Sequence, residues 1–294
     1  MKQRASWAFV LWTLAPGVLW AATTPEEFEA KLGYQTGTVT LAGGIATLRL
    51  PPSFRYIGPE GSKRLLTEAW GNPPDAGDDV LGMLIPSATS PLAEDGWGIV
   101  ITFDEDGYVN DADAAKMNYE KLLREMQEQT TAANEERRKQ GFETVQLVGW
   151  AEAPSYDAAS HKMYWAKELA FGPRTDHTLN YNIRILGRRG VLVLNAVAGM
   201  HQLATIRGQT RNVLSAVEFT EGHRYTDYLP GKDKAAGYGL AGLIAGAAAA
   251  KTGLLKGLWV GILAFKKLIV MGGVALVAFL KRVFGGGSGE QRNA

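Results

Sequence analysis

Thr178-Leu-Asn-Tyr-Asn-Ile-Arg-Ile-Leu186, Gly187-Arg-Arg-Gly190, Val191-Leu-Val-Leu-Asn-Ala-Val-Ala198: this stretch sets the fold class. Two runs rich in β-formers flank a four-residue turn with glycine at both ends, which reads as a β-hairpin. Thr144–Trp150 and His161–Phe171 read as strands ahead of it, and Gln202 to Val217 reads as a helix after it. Further upstream, Thr38–Leu41 and Ala46–Leu50 form a short hairpin around Ala42-Gly43-Gly44, ended by Pro51 and Pro52. Gly61 to Trp70 carries Leu65, Leu66 and Ala69 at helical spacing, and Gly71 stops it. Val80–Ile85 and Gly98–Phe103 are strand-like, and Asp104-Glu-Asp-Gly-Tyr108 is a turn. Asn110 or Asp111 is the expected cap of a long helix whose Ala115, Tyr119, Leu122 and Met126 make one apolar stripe. Beyond Met126 this helix is polar all round, so its end is expected to project into water; Gly141 closes it. Short loops between consecutive strands predict an α+β domain, an antiparallel sheet with helices packed on one face.

Charge divides the 294-residue chain unevenly. Residues 23–230 hold 20 Lys/Arg against 28 Asp/Glu, whereas residues 231–294 hold 9 against 2. An acidic body argues against nucleic-acid binding, which needs clustered positive charge. The absence of cysteine excludes disulfides, zinc–thiolate sites and a cysteine nucleophile. Lys2 and Arg4 ahead of the apolar run Trp7–Trp20 read as a secretory signal over residues 1–22, cut near Ala21 or Ala22.

From Gly237 the chain turns apolar and small. Residues 237–284 read as a membrane tail, with 231–236 a hinge after the domain of residues 23–230 and 285–294 a polar end. Two topologies compete. A helical hairpin puts Lys251, Lys256, Lys266 and Lys267 at the cytoplasmic interface, with Gly242, Gly246 and Ala250 as a small-residue packing stripe. A single span over Gly257–Leu280 sinks Lys266 and Lys267 in hydrocarbon, so the hairpin is preferred. The expected fold therefore includes C-terminal transmembrane helices. The lipid bilayer is the expected partner, and the inner membrane the expected location, with the domain facing the periplasm.

Leu50-Pro51 with Phe54-Arg55-Tyr56, then Trp70-Gly71-Asn72-Pro73-Pro74, Asp106-Gly107-Tyr108-Val109, and Gly237-Tyr-Gly-Leu-Ala-Gly242 ahead of Ala247–Lys251 resemble membrane-anchored bacterial proteins grouped as a domain of unknown function. The resemblance covers nearly the whole mature chain and implies an inner-membrane anchor in a Gram-negative-type bacterium. It carries over no activity, cofactor or catalytic residue. The element order is also loosely similar to the α+β sandwiches of photosystem-extrinsic and nuclear-import-factor proteins.

Three groups of residues invite a functional reading. Asp104, Asp106 and Asp111 form an acidic turn, but Gly107 is at the wrong spacing for a calcium loop, and a turn with a helix cap accounts for it. Trp70, Asn72, Pro73 and Pro74 form a candidate recognition loop, weighed against a plain helix stop with Trp70 in the core. His161 and His177 lie on neighbouring strands, yet no histidine pair has metal-ligand spacing. No metal site, cofactor or phosphate-binding fingerprint is expected. The reading is a membrane-anchored, non-enzymatic binding or envelope-scaffold module that contacts an envelope protein or self-associates through the tail. A membrane-tethered hydrolase or metal enzyme built on the acidic turn and a histidine, and a transport accessory subunit, stay open as alternatives.

Overall fold

The computed structural model describes residues 24–139 and 141–246; the signal-like residues 1–22 and everything from Ala247 onward lie outside the described residues. The strands are β1 (Thr38–Thr40), β2 (Ala46–Arg49), β3 (Phe54–Ile57), β4 (Gly82–Pro86), β5 (Ile99–Asp104), β6 (Tyr108–Asn110), β7 (Val145–Asp157), β8 (Lys162–Phe171), β9 (Thr178–Leu186), β10 (Val191–Gly199), β11 (Val217–Phe219) and β12 (Ala235–Gly239). The helices are α1 (Pro25–Ala30), α2 (Pro59–Arg64), α3 (Tyr119–Lys139), α4 (Leu203–Ala216) and α5 (Leu240–Ala245). Seven strands make one antiparallel sheet in the order β3-β4-β5-β10-β9-β8-β7. The small sheets are β1-β2-β11, antiparallel, and β12-β6, parallel. The α+β class and the antiparallel sheet hold.

The β9–β10 hairpin pairs Leu186 with Val191, and the Gly187 N–H donates to the Gly190 carbonyl at 2.8 Å. Its glycines are required by close approach rather than by unusual φ. A Cβ on Gly187 would meet the Phe219 ring at 2.5 Å, and one on Gly190 would meet the Asp104 carbonyl oxygen at 2.2 Å.

Helices do not keep to one face of the large sheet, as the element order suggests. One face carries Leu179, Tyr181, Ile183, Ile185, Leu192 and Leu194 against the small β1-β2-β11 sheet and α4, through Leu48, Ile206, Val213 and Val217. The opposite face, called here the inner polar face, is covered at two ends. α2 and Leu32 close the β3–β4 end through Leu65, Leu66, Met83 and Ile85. α3 and α5 close the β7–β8 end through Met126, Leu240, Leu243 and Ile244 against Met163, Trp165, Leu169 and Phe171. Each such fully buried apolar side chain contributes roughly 1.5–3 kcal/mol.

The long helix starts later than expected. Ala114–Lys116 is a 3-10 turn, and the Asn118 carboxamide accepts from the Lys121 N–H at 2.9 Å at the head of α3. Nor does the polar end of α3 project into water: Thr130 and Arg137 are buried. The Asn134 amide donates to the Val145 carbonyl and accepts from the Val145 N–H, both at 2.8 Å. Gln127 donates to the carbonyls of Leu147 and Val148, and Arg137 to that of Glu143. The polar side chains of α3 thus satisfy the start of the outer edge of β7, at Val145, Leu147 and Val148, where no further strand pairs among the described residues.

The expected membrane segment beginning at Gly237 is corrected by the structure. Ala235–Gly239 is strand β12, paired with β6, and Leu240–Ala245 is a six-residue helix with Leu240, Leu243 and Ile244 buried in the core. At about 1.5 Å per residue α5 reaches a third of a hydrocarbon core of roughly 30 Å. Among the described residues no helix is long and apolar enough to cross a membrane. Gly242 lies within α5, and Gly246 ends it in the left-handed conformation (φ 86°), so the two are a helix interior and its C-cap rather than a span's packing stripe. The transmembrane helices, bilayer partnership and inner-membrane location expected of this segment find no support in the described residues. Ala250, the lysines from Lys251 and the second apolar run lie outside them.

Candidate functional site: the inner polar face

The acidic turn explains how Ala235–Ala245 is held. Gly107, at φ 110°, brings its backbone so close to the Lys234 carbonyl that a Cβ would sit 2.7 Å from it, and this lets β6 pair with β12. The Asp106 carboxylate accepts from the Tyr238 hydroxyl at 2.7 Å. Asp113 accepts from the N–H groups of Leu240 and Ala241 at 3.1 and 3.2 Å, capping α5. Asp111 accepts from the Tyr156 hydroxyl at 2.6 Å, with His161 Nδ1 3.5 Å away and the His161 ring stacked on Tyr225. These hydrogen bonds hold the Asp111 carboxyl below its usual range against the opposing effect of burial. Burial raises the Asp104 carboxyl; nearby Arg184 opposes the rise and Asp106 adds to it. Asp104 and Asp106 thus share the neighbourhood of Tyr238, while Asp111 and Asp113 serve separate partners. Among the described residues no group of three or more metal-ligating side chains could hold an ion.

The other sequence candidates are similarly engaged. Trp70 donates from Nε1 to the Pro91 carbonyl at 2.9 Å and packs beside Leu65 and Leu66. Asn72 is buried and donates from Nδ2 to the Leu66 carbonyl at 2.9 Å, while Pro73 and Pro74 are exposed. His161 and His177 sit at opposite ends of the β8–β9 pair, in which Lys162 faces Ile185 and Leu169 faces Thr178. His177 Nδ1 lies 2.5 Å from Glu168 Oε1.

The grouping that sequence reading missed lies between the two covered ends of the inner polar face. Alternation along β8 and β9 puts Trp165 and Lys167, and Thr178, Asn180, Asn182 and Arg184, on this side. Lys167 stands directly opposite Asn180, and Asn182 lies between Trp165 on β8 and Asn195 on β10. Lys167, Thr178, Asn180 and Asn182 are 7%, 1%, 1% and 2% exposed. Hydrogen bonds run through the group in one direction. Arg184 donates to Asn195 Oδ1 at 3.0 Å and to Asn182 Oδ1 at 3.4 Å. Asn182 Nδ2 donates to the Asn180 carbonyl and to Asn180 Oδ1, both at 2.9 Å. The series ends at Asn180 Nδ2, which is buried without a hydrogen-bond partner, as are Trp165 Nε1 and Thr178 Oγ1. Burial, reinforced by Arg184, pulls the Lys167 ammonium down to about 7. Burial pulls the Arg184 guanidinium down to about 10, with Asp104 opposing.

A concavity of about 290 Å³ lies elsewhere, near Asp157, Ser160, Lys162, Tyr164 and Arg211. Its groups are largely engaged: Lys162 donates to the Leu214 carbonyl at 2.6 Å, and Asp157 accepts from Ser160 and Ala159.

No curated protein sequence matches the chain. Solved structures similar to it include cyanobacterial PsbP (CyanoP) of Synechocystis sp. PCC 6803, at 8% identity over 64% of this chain and 94% of that one, TM-score 0.35. The Ran-binding protein Mog1p of Saccharomyces cerevisiae aligns at 12% identity over 66% and 99% of the two chains, TM-score 0.34. LpqN of Mycobacterium tuberculosis, involved in cell envelope biogenesis, aligns at 15% identity over 66% and 96%, TM-score 0.32. Scores this low leave all three as loose likenesses. The family model described as "Protein of unknown function (DUF2167)" matches residues 33–278, most of the chain. The family that the residues resemble in sequence is thereby shown, and the chain belongs to the DUF2167 family.

Proposed function

We propose that this is a non-catalytic ligand-binding domain whose ligand sits on the inner polar face, beside Lys167 and Asn180. One observation carries the reading: Asn180 Nδ2, Trp165 Nε1 and Thr178 Oγ1 are three buried polar atoms on one sheet face, each without a hydrogen-bond partner. Leaving a buried donor unsatisfied costs about 1–3 kcal/mol, so natural proteins rarely leave such groups bare unless something fills them. A structural role would be served better by apolar side chains, as on the other side of β9, where Leu179, Ile183 and Ile185 pack. No proton donor–acceptor pair with a nucleophile accompanies these groups, which favours binding over catalysis.

The test uses the full chain purified from the cell that makes it, beside Asn180→Val. Compounds released on denaturation are compared by mass spectrometry. A compound retained by the wild type and missing from the folded variant supports the reading; identical sets from both proteins overturn it.

A further inference from the structure

We infer that the concavity of about 290 Å³ where β7, β8 and α4 meet receives a neutral polyhydroxyl ligand the size of one sugar ring. That volume is at the lower bound of pockets that take small molecules, roughly 300 Å³. The site is separate from the inner polar face: Tyr164 and Leu214 of its lining pack on the cluster at the other side of the sheet. Its walls are fixed by the protein's own contacts. Ser155 on β7 pairs with Tyr164 on β8, and Asp157 with Lys162, so alternation puts all four side chains on one face. Lys162 donates to the Leu214 carbonyl in the last turn of α4, at 2.6 Å, and holds that helix end over the strand pair. Asp157 accepts from the Ser160 hydroxyl at 2.6 Å and from the Ala159 N–H at 2.9 Å, which hold its carboxyl below the usual range. The Ser155 hydroxyl, the Tyr164 hydroxyl and the Arg211 guanidinium are left over, with no hydrogen-bond or ion-pair partner among the described residues.

The class of ligand follows from the balance of these groups. Arg211 only donates, the ionised Asp157 only accepts, and the two hydroxyls do both. An anion gains at Arg211 and is repelled by Asp157; a cation meets the reverse. Lys162 does not tip the balance, since Glu218 and Asp157 oppose the lowering that burial imposes on it. Hydroxyl groups on neighbouring carbons serve both sides at once, accepting from Arg211 and donating to Asp157. The Tyr164 ring and Leu214 supply apolar surface for the C–H face of such a ring.

The experiment is saturation-transfer NMR on the full chain with glucose, N-acetylglucosamine, maltose and chitobiose, and with sodium acetate as the anionic probe. Wild type is compared with Arg211→Met and Tyr164→Phe. Each substitution removes a polar group that no other described side chain bonds, so the fold is kept. Expected is saturable binding of at least one sugar, weakened about tenfold in Arg211→Met and about threefold in Tyr164→Phe. A disaccharide bound more tightly than its monomer supports the site and makes the ring part of a glycan chain; equal affinity supports it with a free sugar. Sugar binding unchanged in both variants overturns the site. No binding of any sugar overturns the inference, and acetate binding that needs Arg211 would then assign the concavity to an anion instead.

Discussion

Lys167 and Asn180 face each other across β8 and β9, and the free chain bears a cost for both. A buried ammonium beside a guanidinium destabilises the fold, whereas an apolar replacement of similar volume does not. Lys167→Met is therefore expected to stabilise the ligand-free chain by about 1–3 kcal/mol, read as a higher denaturant midpoint. The same residue predicts a pH dependence. Its folded pKa, about 7, lies below the ordinary lysine value of 10.5, so between these two values the unfolded chain holds a proton that the folded chain has released. Stability then rises with pH across that window, and the destabilising charge is fully present below pH 7. The window narrows near pH 10, where the hydrogen-bonded tyrosines, raised by burial, give the opposite slope. The Tm of wild type should climb toward that of Lys167→Met from pH 7 to about 9.5. A constant difference between the two would show that Lys167 keeps its proton throughout.

Among the elements, α3 has the least expected role. Its sequence after Met126 has no apolar stripe, yet it lies along β7 because amide side chains substitute for a neighbouring strand. Asn134 returns both hydrogen bonds of Val145, as another strand would. Asn134→Ala strips a buried donor and a buried acceptor of their partners and should cost about 2–3 kcal/mol. Hydrogen exchange should speed up at Val145 and along the end of α3, with the β9–β10 pair unaffected. Uniform acceleration across the sheet would mean that α3 is not fastened locally. Edge protection is the second consequence: with Gln127 and Asn134 in place, the β7 edge is occupied at Val145, Leu147 and Val148.

On the scale of the whole molecule, the domain extends past residue 230. Arg188 holds Asp233 through two hydrogen bonds of 2.7 and 3.0 Å, β12 pairs with β6, and α5 closes one end of the inner polar face. A chain ending at Pro230 uncovers the core where Leu240, Leu243 and Ile244 pack. At roughly 1.5–3 kcal/mol per side chain, the loss is comparable with the 5–15 kcal/mol that holds an average domain together. A fragment of residues 24–246 is expected to unfold cooperatively, and one of residues 24–230 to aggregate or bind a hydrophobic dye. Equal melting of the two fragments would place β12 and α5 outside the cooperative unit.

Local chemistry made much of this legible. The β9–β10 hairpin follows from strand formers around Gly187 and Gly190, the α2 region from the spacing of Leu65, Leu66 and Ala69, and the α+β class from short antiparallel connections. Such signals lie within a few residues of where they act. The candidate site does not, because Asn180, Asn182 and Arg184 alternate with apolar residues just as a solvent-facing side would. They lie between two ends of the face that distant parts of the chain cover, α2 at one and α3 with α5 at the other. Composition was equally ambiguous for Gly237–Gly246: a run of small and apolar residues suits a membrane arm and a core helix alike. Asp106 and Asp113, 132 and 127 residues away from Tyr238 and Leu240, settle it by supplying acceptors for a tyrosine hydroxyl and the first N–H groups of α5. A periodicity can state that one side of an element is apolar; what comes to lie against the other side depends on long-range packing, which no local pattern encodes.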